Sequence, residues 1–392
     1  MDIRNAERLA KLPPYLFAAL RKKISEARAR GVKVITLGIG DPDQPTPDTV
    51  VQEMIRAVTD PKDTDRHRYG CDAPVDAFPE AVRAFYQRRH GVRLAAEQVV
   101  TTTGSKDAIV QFCLGLLNPG DLGIAPQPGY PTYNIGHVFC SSGTFYVPLE
   151  EKNGWLPDLD AIPAHVRREA RLLWINYPNN PTTAVADVDF FRRVVEFGRR
   201  NEILICHDSA YGENTYDGYR APSILEVSGA DEVAVEFFSL SKAFNMTGWR
   251  VGAVTGNAAA VKALALVKSN IDNGTLRAVQ FAAARALDAS EKIVPEVNRL
   301  YQRRRDLVVD ALVKAGFRIR KPKGTIYVWA PVPDRYHGSS AAFAEDLLEK
   351  AGVVVTPGLG YGQWGEGYVR ISLTYPDEVL AEAMERIAAL GT

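Results

Sequence analysis

The sequence has no long apolar run, no net charge and no clustered cysteines. Its 392 residues carry 47 basic against 47 acidic side chains, and neither sign gathers into a long block. That leaves no electrostatic footprint for nucleic acid or an anionic membrane surface and points to small molecules as partners. No apolar stretch approaches the roughly 20 residues of a membrane span. The first residues, MDIRNAERLAKLPPYLFAALRKK, interleave charges with apolar positions at helical spacing rather than forming a leader, so a cytoplasmic location is expected. Cys71, Cys113, Cys140 and Cys206 are scattered and make no CxxC pair, which argues against a disulfide framework or a zinc site. The six histidines include no HExxH or close pair and read as structural or surface residues, and no metal is expected. Internal repeats and low-complexity segments are also missing.

What is present is alternation. Short apolar runs end at residues 104, 128, 149, 178, 209, 240 and 257, and amphipathic patterns such as KDAIVQFCLGLL (106–117) and DVDFFRRVVEFGRRN (187–201) lie between them. This predicts an α/β fold with one mostly parallel seven-stranded sheet, buried on both faces. After about residue 290 the pattern changes to a long charged helix, a strand TIYVWAPV, a helix SAAFAEDLLEKAG and a strand YVRISLT, a smaller α+β unit. The expected division is a large domain over 46–289 and a small domain made of 1–45 and 290–392, with an N-terminal arm.

In open α/β sheets, ligands bind outside the carboxyl ends of the strands. Four strand ends here carry reactive groups: Gly104-Ser105-Lys106, Asn179-Asn180-Pro181-Thr182, Asp208-Ser209-Ala210-Tyr211 and Ser239-Leu240-Ser241-Lys242. Gly104-Ser105-Lys106 opening a helix is an anion site in the making, although the same tripeptide also serves as an ordinary cap. Asp208 closes an apolar strand, where a carboxylate needs a cation or strong hydrogen bonds. Alone it reads equally as a cap for the next segment. With Lys242 it forms a more specific pair, a carboxylate to hold a heterocyclic nitrogen protonated and an amine to form a Schiff base. That is what pyridoxal 5'-phosphate chemistry requires.

With these residues placed, the chain resembles the fold-type I pyridoxal phosphate aminotransferases of the aspartate aminotransferase superfamily, and within them the LL-diaminopimelate aminotransferases. The resemblance runs through LPPYLF, LGIGDPDQPTP, PQPGYPTY, NYPNNPT, HDSAY, SLSKAFNMTGWR, YVWAPVP and GEGYVRISLT. It implies that Lys242 carries the cofactor as an internal aldimine and later shuttles a proton between Cα and C4′. It implies further that Asp208 pairs with the pyridine nitrogen, that Asn180 and Tyr211 contact the ring hydroxyl, and that Tyr130 stacks on the ring. Ser105, Lys106, Ser239, Ser241 and Arg250 would surround the phosphate behind Gly104, and Gly248 would let the backbone pass close by. Tyr69 would reach the phosphate of a neighbouring subunit in a homodimer with shared active sites. Arg370 would clamp the substrate α-carboxylate, for which its planar guanidinium gives bidentate geometry; without the resemblance it is also an ordinary strand arginine. Asn273 and the glycines of LGIGDP are further substrate contacts by the same resemblance.

The implied reaction exchanges an amino group between an L-amino acid and 2-oxoglutarate or glutamate, through external aldimine and quinonoid. Departures from the family pattern are Thr183 where a glycine is usual, Asp72-Ala73-Pro74 after the 67–71 segment, GTIYVW (324–329), Trp364 and Ser209. They point to an altered substrate-end pocket, with Asp72 standing in for a distal acidic contact. A second reading is a relative recruited to specialised metabolism, directing the same first proton abstraction into β- or γ-elimination, replacement or carbon–carbon bond formation, for example on S-adenosylmethionine. A third, from a different class, is a non-catalytic ligand sensor that kept the fold; the presence of Lys242, Asp208, Tyr211 and Arg370 disfavours it.

Overall fold

The computed structural model describes residues 3–12, 16–70 and 75–391. A short strand β1 (Ile35–Thr36) precedes the seven strands of the central sheet: β2 (Val99–Thr102), β3 (Leu122–Gln127), β4 (Gly143–Pro148), β5 (Ala170–Ile175), β6 (Leu204–Ser209), β7 (Ala234–Ser239) and β8 (Gly252–Gly256). Their spatial order is β2-β8-β7-β6-β5-β3-β4, and β8 alone runs antiparallel to its two neighbours. Every residue of β7 and β8 is buried, which is why these segments read as continuous apolar runs rather than as alternation.

Helices cover the sheet for reasons visible in their sequences. In Val188–Asn201, the Asp187 carboxylate accepts the Phe190 N–H at 2.7 Å and so starts the helix. Phe190, Phe191, Val194, Val195 and Phe197 then recur at helical spacing and bury one stripe, while arginines face water. The helix stops at Glu202, whose φ of 54° turns the chain left-handed.

The remaining strands are β9 (Tyr327–Pro331), β10 (Val353–Val354), β11 (Thr356–Pro357) and β12 (Tyr368–Ser372). β9, β12 and β11 form an antiparallel sheet, and β10 pairs with β1. On this pairing we propose that residues 1–45 belong with 290–392. The long helix Ser290–Lys314 joins the two parts: the Arg304 guanidinium donates to both oxygens of Asp43, at 2.6 and 2.8 Å, and so fixes the chain just after LGIG.

The Asn180-Pro181-Thr182-Thr183 turn shows what its departure from glycine costs. Thr183 has a φ of 62° and is buried, a conformation that burdens a β-branched side chain by roughly 1–2 kcal/mol. Its N–H donates to the Asn179 carbonyl at 2.8 Å, a bond that glycine keeps. Thr183→Gly is therefore expected to raise stability by about 1 kcal/mol, partly offset by the greater freedom of unfolded glycine. Thermal unfolding measures it; a fall in Tm would mean that the threonine's packing outweighs its strain.

Candidate active site

The carboxyl ends of β2, β3, β5, β6 and β7 open onto one cavity of about 760 Å³, closed from the other side by Ile39–Asp41, Tyr327, the 359–362 segment and Arg370. Ser105, Lys106, Tyr130, Asn180, Asp208, Tyr211, Ser239, Ser241, Lys242, Arg250 and Arg370 all line it. Residues spread over 265 positions of sequence thus meet because five parallel strands end on the same edge.

Asp208 sits at the floor. Its backbone is held by the Asn176 amide, which donates to the Asp208 carbonyl at 2.6 Å, and its Oδ2 accepts the Tyr133 hydroxyl at 2.8 Å. Tyr133 is fixed in turn by stacking on Trp174, with ring centroids 5.0 Å apart. Oδ1 is buried and has no partner. Burial pushes the carboxyl up to about 6, against the lowering pull of the Tyr133 bond, the His207 charge and the Ala210 N–H. An unsatisfied buried carboxylate oxygen is costly unless a donor arrives, and a protonated pyridine nitrogen is such a donor.

Lys242 follows β7 and donates to the Gly40 carbonyl at 2.7 Å. Burial holds its amine below the ordinary lysine value, and the Arg370 and Arg250 charges add to that, while Tyr327 and Asp41 oppose it. A depressed lysine spends more of its time as the free-base nucleophile.

The phosphate end is built at the start of helix Ser105–Leu116. Ser105 Oγ is buried without a partner, and Ser239 and Ser241 are buried beside it. Gly104, at φ 82°, lies so near the Arg250 guanidinium that any Cβ there would collide with it. Arg250 is held by the carbonyls of Thr247 and Thr103, at 2.9 and 3.4 Å. A Cβ at Gly248 would meet no protein atom within 4 Å, so the chain itself does not require glycine there. An unpartnered Ser105 hydroxyl at one end and an orphaned acceptor at the other, with the amine of Lys242 on the same cavity, fit pyridoxal phosphate.

Arg370 is buried in β12. It donates to Asn180 Oδ1 at 2.8 Å and to the Gly38 carbonyl at 2.7 Å, and its Nε has no partner. Its Cζ lies 3.9 Å from the Tyr327 ring centroid and 5.1 Å from that of Tyr361. Carbonyl acceptors and aromatic faces orient this cation without neutralising it, so it remains available to a carboxylate.

Tyr69 and Asn273 do not line the cavity of their own chain. Tyr69 is 67 % exposed, and the adjoining Gly70 packs against the Asn273 and Thr275 carbonyls. Asp72 lies outside the described residues. Thr183, Ser209, Gly324 and Trp364 are not among the residues that line the cavity, whereas Tyr327 and the 359–362 segment, from the same two departing stretches, are. Sequence reasoning missed Tyr133, Tyr327 and Tyr361. Alternation in TIYVWAP puts 327 and 329 on one face, but only the register, which pairs 329 with Arg370, shows that this face meets the site.

Fold and cavity together define a fold-type I, pyridoxal phosphate-dependent transferase. The chain matches the family described as Aminotransferase class I and II over residues 32–387 and belongs to it. It is 52 % identical to the LL-diaminopimelate aminotransferase of Moorella thermoacetica, over 98 % of each chain. It is 50 % identical to the enzyme of that name from Desulforudis audaxviator, over 99 % of this chain and 98 % of the relative. Among solved structures it superimposes on substrate-bound BacF from Bacillus subtilis with a TM-score of 0.94 at 36 % identity, covering 100 % of this chain and 99 % of that one. It is a pyridoxal phosphate-dependent aminotransferase, and its relatives do not favour the elimination or carbon–carbon bond-forming alternative.

Proposed function

We propose that this chain transfers an amino group between LL-2,6-diaminopimelate and 2-oxoglutarate, the direction in the cell being set by supply. The observation that carries the substrate is the match, over essentially the full length of both chains, to relatives that bear diaminopimelate in their names. Arg370 supplies the common element of both substrates' recognition, since each has a carboxylate next to the reacting carbon.

The cofactor, when bound, supplies an aldehyde for amine exchange and a cationic ring that stores the electron pair released at Cα. The chain does the rest. Ser105, Ser239, Ser241, Lys106 and Arg250 hold the phosphate; Asp208 Oδ1 keeps the ring nitrogen protonated; Tyr130 covers a ring face; Asn180 and Tyr211 donate toward the ring hydroxyl. Lys242 Nζ gives the attachment point and takes the proton from the substrate Cα. Arg370 orients the α-carboxylate so that this proton faces the amine.

We further propose a homodimer. Tyr69, exposed in a single chain, shares the surface around Gly70 and Asn273 with exposed Ile271 and Leu276, and a second copy would receive Tyr69 at its phosphate end. Cys113, Cys140 and Cys206 are buried free thiols, which suits a reducing, cytoplasmic setting. The functional test is glutamate production from LL-2,6-diaminopimelate and 2-oxoglutarate by purified holoenzyme. Turnover with other L-amino acids but none with diaminopimelate would reject the substrate while leaving the reaction class intact.

A further inference from the structure

Tyr327 is buried in β9, and the cavity brings it against three parts of the machinery at once. Its hydroxyl is 3.1 Å from the Tyr211 hydroxyl. Its ring carries the Arg370 guanidinium, with Cζ 3.9 Å from the centroid. Gly40, whose carbonyl accepts from Lys242, lies so close that a Cβ there would overlap the Tyr327 ring and hydroxyl.

Two tyrosine hydroxyls at this separation share one hydrogen bond, and which one donates decides what the other can do. The charged groups facing Tyr327 are the cations Arg370 and Lys242 and the anion Asp41, with the hydroxyls of Tyr211, Tyr130, Tyr301 and Tyr361 around them. Two cations against one anion favour negative charge on the Tyr327 oxygen and make it the better donor of the pair. Burial pushes the Tyr327 hydroxyl up, but Arg370 and Lys242, together with the hydrogen bond to Tyr211, outweigh burial and Asp41 and leave it below the ordinary tyrosine value. Tyr211 is pushed well above by burial and by its tyrosine neighbour.

We propose that Tyr327 is a positioning residue for Tyr211: it donates to the Tyr211 oxygen, so that Tyr211 must aim its own proton into the cavity, at the ring hydroxyl of the cofactor. A hydroxyl that accepts one hydrogen bond donates the next one more strongly. Tyr327 thereby links the carboxylate clamp to the cofactor's electronics through a single side chain. The inference rests on the assignment of Tyr211 to the ring-hydroxyl contact.

A strong donor at the ring oxygen withdraws charge that would otherwise help hold a proton on the nitrogen joining Lys242 to the cofactor. It therefore lowers the pH at which the visible band of the holoenzyme titrates. Tyr327→Phe keeps the ring under Arg370 and loses only the hydroxyl, so the midpoint is expected to rise by about 0.5–1 unit. KM for 2-oxoglutarate should stay within about twofold, because the cation–π contact remains. Tyr211→Phe should raise the midpoint further, and the double variant should match Tyr211→Phe, since Tyr327 acts through Tyr211.

An unchanged midpoint in Tyr327→Phe beside a shifted one in Tyr211→Phe overturns this inference and leaves the site assignment standing. No shift in either variant overturns the Tyr211 assignment and the inference with it. Should Tyr327→Phe fold poorly, 3-fluorotyrosine at position 327, a stronger donor of nearly the native shape, is expected to lower the midpoint instead. A midpoint that stays put or rises with that replacement contradicts the proposed direction of donation.

Discussion

Lys242→Ala is expected to abolish the lysine-linked absorption band of the holoenzyme and to reduce turnover by about 10⁴-fold or more, because one amine provides both the covalent attachment and the Cα proton acceptor. The loss will not come from unfolding. The substitution removes one hydrogen bond, from Nζ to the Gly40 carbonyl, at about 1 kcal/mol, and it also removes a buried amine whose charged form burial disfavours. Cofactor should still bind non-covalently, since the phosphate and ring-nitrogen contacts come from other residues. Circular dichroism, cofactor retention and steady-state rate separate these effects. A variant that turns over near the wild-type rate would remove Lys242 from the chemistry.

The second large effect is at Asp208. Asp208→Asn keeps the shape and an acceptor for the Tyr133 hydroxyl but cannot hold a positive charge on the ring nitrogen, and the rate is expected to fall on the order of 10³-fold. Stability of the cofactor-free protein should move the other way. Burial pushes the Asp208 carboxyl up to about 6 in the folded protein, from an ordinary value of 3.8, so the folded protein binds this proton more tightly than the unfolded chain does. Above about pH 6 the folded state carries a buried charge at a cost of about 3 kcal/mol, and the cost fades as pH falls from 6 to below 4. Asp208→Asn should therefore stabilise the apo-protein at pH 8, with the gain vanishing at low pH. Denaturant midpoints at pH 8 and pH 4 test the sign. A loss of stability at pH 8 would mean that Asp208 is compensated by more than the structure provides.

These opposed effects explain how the site was legible in the sequence. Asp208 lies at the end of β6 and Lys242 just beyond β7, beside apolar runs where a charge is costly, and such positions stand out because local rules are broken there. The strands were equally plain: β7 and β8 are buried on both faces, so their runs are uninterrupted, and the helix 188–201 announces itself through Asp187 and a phenylalanine–valine stripe. The tyrosines were not legible. Tyr133, Tyr327 and Tyr361 lie in segments where an aromatic residue is normal core material; only the fold brings the Tyr133 hydroxyl onto Asp208, and only the packing of β9 and the 359–362 segment over the strand ends brings Tyr327 and Tyr361 to the cavity. That Gly104 must leave room for the Arg250 guanidinium depends on where Arg250 folds back, a tertiary fact without a sequence signal. Thr183 is the converse case, a residue whose oddness was visible in sequence and whose φ of 62° is the structural counterpart.

The most direct measurement is the absorption spectrum of holoenzyme mixed with LL-2,6-diaminopimelate in the absence of any keto acid. The lysine-linked band is expected to be replaced, in a single turnover, by that of the amine form of the cofactor, and to return when 2-oxoglutarate is added. A spectrum left unchanged by diaminopimelate but converted by another L-amino acid would contradict the proposed substrate.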